Sequence, residues 1–524
     1  MRIVRIVPLA LLCLAACVAG PLICASSAAA EPAQAMQAAA AERTVQELEH
    51  IRDNPLALHD FLKRMPKGAD LHNHMHSAVY AETFIKEAIE DGLCVDPSKN
   101  AFDQPHQVTG DAPQCEAGKV PAANAYKDLR LYNGLIDAFS MRGFVPSEGE
   151  TGHDHFFGAF KKFGGIDPSH TGAWLNEVAT RAANQNEQYL ELMIAPTWHR
   201  LDTITDGMTW SEDFNVMREQ LLAKGLAEDI PAARAFFDQA EAEHRKRSKC
   251  GEADEARACK VETRYIYEVF RSTPKALLFA QALFGFELAS ADPRVVAINL
   301  VGEEDEHTSM TDYADHMRVV GYLRTLYPKV RVSLHAGELA PGLVPPEGLC
   351  CHIRLAVEQA KADRIGHGAD VMYEDRPYEL MKDMAAKRVM VEINLTSNDV
   401  ILGIKGKHHP FSFYRKFGVP VALSTDDEGI SRIDLTHEYV RAVETYGLSY
   451  ADLKHLVRNS LEYSFLPGAS LWASSDYARL ASACESDAGA EKPSSTCDAF
   501  LKGSEKAAQQ WELEKRFGVF EAGF

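Results

Sequence analysis

Three imidazoles and a carboxylate stand out first. His72 and His74 flank one residue in LHNH (71–74), His335 opens HAGE (335–338), and Asp426 lies in STDD (424–427). Residues two apart on a strand point to one face, so His72 and His74 offer a ready pair of nitrogen donors. His335 would add a third nitrogen and Asp426 an oxygen. Three His and one Asp suit zinc, with a position left for water. Zinc lowers the pKa of such a water from ~15.7 to ~7. Proton transfer has its own candidates. Glu338 follows His335 by three residues across Ala336 and Gly337, small enough to let the chain turn so that both side chains face one pocket. His367 in RIGHG (364–368) would hold or deprotonate the attacking water. A carboxyl in a dry pocket starts protonated, so Glu338 could give a proton to a ring nitrogen while an aromatic C–NH2 carbon is attacked. Gly302 offers a backbone N–H where a side chain would block approach. Asp427 could accept a hydrogen bond or, protonated, donate one.

These residues need scaffolding that brings distant stretches together. Eight short apolar runs are legible: 69–74, 188–195, 263–270, 295–301, 330–335, 363–367, 389–395 and 419–424. Helix-like stretches separate most of them. Apolar strands alternating with helices imply parallel βα units, and eight units imply an α/β fold of the (β/α)8 TIM-barrel type, whose active sites sit at strand C-terminal ends. LHNH, HAGE, RIGHG and STDD all fall at such ends. The fourth strand ends in GEE (302–304) with no Lys to bridge a second metal, which implies one ion per chain.

Around the barrel the expected layout is an export signal at 1–30, a helical extension at 31–64 broken at Asn54-Pro55, the barrel at 65–430, and a helical segment at 431–524 that completes it. Insertions are expected near 91–125, as a surface loop, and near 203–260, as a solvated helix pair. Arg2 and Arg5 precede an apolar run, and Ala28–Ala30 has the form of a cleavage site. LAAC (14–17) also has a lipoprotein form with Cys17 as acceptor. Either route carries the chain out of the cytosol, periplasmic or secreted. No later run is long and apolar enough to span a bilayer. The formal charge of -20 disfavours nucleic acid and anionic membrane surfaces but not a small nucleoside. Eight of the 11 cysteines follow Ala30, an even number that suggests disulfides in an exported chain. Cys94 with Cys115, Cys250 with Cys259, and Cys484 with Cys497 are close in sequence. Cys350 and Cys351 are adjacent, where a bridge is strained and rare.

At these residues the chain resembles the adenosine/AMP deaminase family. MPKGADLHNH (65–74), HAGE, RIGHG, TSN (396–398), and HP (409–410) followed by 419–427 stand in the family's order and approximate spacing. The export signal, long early segment and cysteines resemble the secreted adenosine deaminase-related growth factor branch. The resemblance implies hydrolysis of adenosine or 2′-deoxyadenosine to the inosine form plus ammonia; the alternatives are the same chemistry on AMP or another 6-aminopurine derivative, or a different metal-dependent amidohydrolase. It implies one Zn2+ on His72, His74, His335 and Asp426, Glu338 as proton donor, His367 as water-orienting group, and Gly302 and Asp427 on the purine. Two departures stand out. His76 occupies a position where many members carry an Asp that contacts the sugar, and Glu428 replaces a Pro, a change expected to alter only its loop. The stretch 152–163 sits where the family has a helical lid, so Phe156, Phe157 or Phe160 is expected near the pocket. By analogy a homodimer would use the segment before Met65 and the insertions.

Overall fold

The computed structural model describes residues 27–105, 114–196 and 199–524. The expected export signal, Cys17 included, lies outside the described residues up to residue 26.

Eight parallel strands form a nearly closed barrel. In chain order they are β1 (Gly68–His74), β5 (Glu187–Ile194), β6 (Glu262–Phe270), β7 (Val295–Val301), β8 (Arg331–Ala336), β9 (Arg364–His367), β10 (Met390–Ile393) and β11 (Val421–Leu423). Between β1 and β5 lie three short strands, β2 (Cys94–Asp96), β3 (Ala101–Asp103) and β4 (Val120–Pro121). The barrel order follows the sequence, β1-β5-β6-β7-β8-β9-β10-β11. Its ends meet where β1 stops. The His74 N–H donates to the Asp426 carbonyl at 3.2 Å, and the Asp426 N–H to the His72 carbonyl at 2.8 Å. The seam that closes the barrel is therefore made by residues picked out for their side chains. All eight strands fall within the apolar runs to within two or three residues at their ends.

Burial explains the apolar runs. Every residue of β9, β10 and β11 is buried, as helices cover the outside and side chains fill the inside. The early helix is broken as expected. The first helix ends at Ile51, and Asn54 caps the next, Pro55–Arg64, by accepting from the Ala57 N–H at 3.2 Å. Two regions differ from expectation. The stretch 91–125 carries an antiparallel sheet ordered β3-β2-β4, not only a loop. Within 203–260 the helix Ile230–Arg247 buries Ala233, Phe237 and Ala240, and Phe237 stacks on Tyr265 of β6 at 4.3 Å, so the pair is only partly solvated.

Four disulfides close: Cys94–Cys115, Cys250–Cys259, Cys350–Cys351 and Cys484–Cys497. The adjacent pair closes despite its rarity. Four disulfides fit an oxidising, extracytoplasmic compartment. Among the described residues no helix is long and apolar enough to cross a membrane.

Candidate active site

His72, His74, His335 and Asp426 converge at the C-terminal ends of β1, β8 and β11, with one donor atom of each within 4.8 Å of the others. The Nε2 atoms of His72 and His335 are 3.1 Å apart, and those of His74 and His335 are 3.3 Å apart. Asp426 Oδ1 lies 3.3 Å from His72 Nε2 and 3.4 Å from His74 Nε2.

The opposite ring nitrogens decide what this cluster can hold. His72 Nδ1 donates to Glu392 at 2.6 Å, His74 Nδ1 to Glu268 at 2.8 Å, and His335 Nδ1 to the side-chain Oδ1 of Asn299 at 2.9 Å. With each proton on Nδ1, three Nε2 lone pairs face one another and the buried Asp426 Oδ1, which accepts no hydrogen bond. Such lone pairs repel unless a cation lies between them, and carboxylate or amide partners on the far nitrogens are the usual support for metal-binding imidazoles. Burial would lower His72 and His74, yet Asp426 and Glu392 carry His72 up to about 9, and Asp427 and Glu268 carry His74 up to about 10. Surroundings that would hold a proton on these rings also hold a metal cation. The residues therefore fit one metal cation held by these four donors.

Glu338 and His367 share this face. His367 Nδ1 lies 3.7 Å from Glu338 Oε1, and His367 Nε2 lies 3.8 Å from Asp426 Oδ2. Burial, then the charges of Asp426 and Glu304, push the Glu338 carboxyl well above its ordinary range. Burial holds His367 down at about 3, so it is neutral. Its tautomer follows from a hydrogen-bonded chain. The Phe411 N–H donates to His409 Nδ1 at 3.1 Å, His409 Nε2–H to Asn398 Oδ1 at 2.9 Å, and the Asn398 amide to His367 Nδ1 at 2.9 Å. That leaves the His367 proton on Nε2, facing Asp426. His367 (φ 66°) and Asp426 (φ 63°) both have left-handed backbones, sparsely populated for these residue types and concentrated where function requires a side chain to be aimed.

The remaining expected residues lie at or near this rim. Asp427 accepts from the Ser77 hydroxyl and is raised to about 7 by burial and by Asp426. It precedes a helical turn, but its side chain makes no cap bond. Gly302 follows β7 with φ 97°; a Cβ there would come no closer than 3.6 Å to any atom of the described residues beyond its chain neighbours, so the backbone angle, not crowding, asks for glycine. His76 packs among Phe84, Phe163 and Trp174, with centroids 5.0–5.2 Å away, and burial lowers it to about 4. The helix Gly152–Lys162 spans the barrel mouth. It packs on Leu395–Leu402 after β10, and His153 bonds Asp305 after β7 at 3.0 Å. On it Phe156 is buried, and Phe160 is half-buried and reaches His76 through Phe163.

Glu428 is corrected. It does more than alter a loop: it is buried and pairs with Arg181 at 2.6 Å. Sequence reasoning also passed over Glu392, Glu268, Asn299 and Asp70. Glu392 and Asn299 are each the lone polar residue of an apolar strand, which was the available signal; Glu268 and Asp70 share their strands with other polar residues and carried none. Asp70 accepts from the Thr425 hydroxyl at 2.5 Å and so ties β1 to the residue before Asp426.

One supporting residue yields a pH prediction. Buried Glu438 accepts from the N–H and hydroxyl of Thr396, on the helix carrying Asn398, and burial raises it from 4.5 to about 7. Its folded-state pKa exceeds the unfolded one, so its contribution is full below pH 4.5 and is lost as pH rises to 7, at ~1.4 kcal/mol per pH unit. Glu438→Gln, which cannot ionise, should match wild type at pH 4.5 and exceed it by up to ~3 kcal/mol at pH 8. Urea unfolding at both pH values checks this; equal stability at pH 8 would contradict it.

Comparisons with known proteins agree with this geometry. A family model described as Adenosine deaminase matches residues 173–471, more than half of the chain. The span includes His335, Glu338, His367 and Asp426 but begins after His72 and His74. An adenosine deaminase of Clostridium perfringens is 34% identical over 175 residues, 33% of this chain and 47% of that protein. The chain thus spans about half the length of the curated relatives it matches. An N6-methyl-AMP deaminase from Arabidopsis thaliana shares the fold at a TM-score of 0.50 and 18% identity, covering 78% of this chain and 94% of that one. An amidohydrolase from Burkhoderia ambifaria with bound Zn does so at 0.51 and 16%, covering 88% and 94%.

Proposed function

The chain belongs to the adenosine deaminase family, and from that premise we propose that it hydrolyses the 6-amino group of an adenine derivative, with water entering and ammonia leaving. The assignment stands at the level of the family, without the secreted growth-factor branch. The observation that carries the reading is the meeting of three Nε2 lone pairs and Asp426 with a protonated Glu338 and a neutral His367.

The donor set suits zinc, which when bound supplies an acidified water and polarises the reacting centre. Buried and protonated, Glu338 gives its proton to the purine ring nitrogen as C6 is attacked. His367 presents Nε2–H, with its other nitrogen already accepting from Asn398, so it orients the attacking water by donating and does not act as base. Asp426 Oδ2, 3.8 Å from that nitrogen, would accept the water's hydrogen and pass it to the amine, which leaves as ammonia. Asp427, near its midpoint at neutral pH, and the Gly302 N–H hold the purine edge. Neutral His76 offers a polar ring edge toward the sugar end and no charge for a phosphate. Export to an oxidising compartment completes the proposal, as the four disulfides fit.

The test is a substrate panel. The chain, expressed with export so that its cysteines oxidise, is given adenosine, 2′-deoxyadenosine, AMP and N6-methyl-AMP, and the ultraviolet change to the 6-oxopurine is followed. Turnover of at least one substrate, abolished by a chelator, is expected, and the panel ranks the sugar end. No turnover of any by zinc-loaded protein would refute deamination.

A further inference from the structure

A single buried carboxylate clasps both ends of the loop that starts at Glu338. Glu304 Oε2 accepts from the Glu338 N–H at 2.8 Å. Its Oε1 accepts from the Gly337 N–H at 3.0 Å and from His352 Nδ1 at 2.6 Å. Residues 337–338 and His352 lie on either side of a 13-residue excursion, 339–351, and meet on this one side chain. The Gly337 carbonyl is held in turn by the N–H groups of Ala369 and Asp370 at 2.8 and 3.1 Å. Gly337 has φ 76°, and a Cβ there would fall 2.4 Å from Asp370, so the turn bearing Glu338 has no room to shift that way.

His352 is fixed as firmly. Tyr313 stacks on its ring at 3.6 Å, nearly parallel, and the Tyr313 hydroxyl donates to its carbonyl at 3.0 Å. Directly before it stands Cys351, with a left-handed backbone (φ 87°), bonded to Cys350. Because the bonded residues are adjacent, the disulfide restrains the backbone that enters His352. Cys351 spends its side chain on that bond, and the first turn of the helix His352–Glu358 is capped by buried Glu374, which accepts from the Ile353 N–H at 2.7 Å.

We propose that Glu304 and His352 are positioning residues that set Glu338 on the reacting ring, and that the Cys350–Cys351 disulfide holds His352 on Glu304. The proposal rests on the role given to Glu338 above. A displacement of ~1 Å in a catalytic group costs about 10²-fold in rate. His352→Ala should therefore lower kcat about 100-fold, with KM within threefold and metal content unchanged. In His352→Asn the amide nitrogen overlays Nδ1 and restores the bond to Glu304, so kcat should return to within about fivefold of wild type. The Cys350→Ser/Cys351→Ser double variant should lose about tenfold in kcat. A second readout needs no substrate: amide hydrogen exchange at Gly337 and Glu338 should be at least tenfold faster in His352→Ala and in the double Ser variant than in wild type or His352→Asn. If exchange at both amides stays at the wild-type rate, the clasp is refuted whether or not the enzyme turns over any 6-aminopurine. Faster exchange with kcat kept within twofold would refute its link to Glu338. A wild type inert toward every aminopurine, with the exchange pattern as expected, would instead count against the function assigned to the site and leave the clasp in place.

Discussion

Glu338→Gln is expected to lower kcat about 10³-fold while zinc content and KM stay near wild type. The size follows from what general acids contribute, ~10²- to 10⁴-fold. The selectivity follows from placement. Glu338 is not among the four converging donors, and its carboxyl is buried beside the negative Asp426 and Glu304, which keep it protonated. Gln matches the shape of a protonated Glu and can donate a hydrogen bond, but it cannot release a proton. Steady-state kinetics with zinc analysis on the same samples measure this. A variant keeping a tenth of wild-type kcat would remove Glu338 from the proton path.

Arg364→Met should cost ~3–5 kcal/mol of folding stability, the largest loss expected from one side chain here. Arg364 is fully buried inside the barrel, with Nη2 2.5 Å from Glu191 and Nε 2.6 Å from Glu392, and its guanidinium 3.8 Å from the Phe465 ring centroid. Removing one partner of a buried ion pair leaves uncompensated charge, which costs far more than the pair itself contributes. Two carboxylates would be stranded. One of them, Glu392, also holds His72 Nδ1 and the Ser333 hydroxyl. The variant should therefore bind zinc ~10- to 100-fold more weakly as well, since partners that orient a ligating imidazole act on affinity. Denaturant titration and competition with a zinc chelator measure the two effects. Unchanged stability would mean that water reaches Arg364 in solution.

What the sequence made legible was periodic or paired. Eight apolar runs became eight parallel strands because residues buried on both faces leave a continuous signature. His72 and His74 were visible as a pair because a strand repeats every two residues, and HAGE because small residues link two chemical groups. Unreadable were single residues whose partners lie far away in the chain. Glu304 looked like one acid in a charged loop, and only the fold shows that it gathers Gly337, Glu338 and His352. Glu428 finds Arg181 across 247 positions, with no local trace. The strands β2, β3 and β4 run for two or three residues each, too few for alternation to register. His76 was read from a motif position as a sugar contact; that its ring sits in a box of Phe84, Phe163 and Trp174 depends on two helices and a loop that converge only in three dimensions.

Deamination at the cluster of His72, His74, His335 and Asp426 requires a metal ion there. The most direct measurement is ammonia release, from whichever of adenosine, 2′-deoxyadenosine and AMP turns over fastest, by metal-stripped protein as zinc is added back. Activity should rise in proportion to bound zinc and stop at one ion per chain, and His335→Ala should neither bind that ion nor release ammonia. Full activity in the stripped protein, or one zinc per chain held by these residues with no ammonia from any aminopurine, would contradict it.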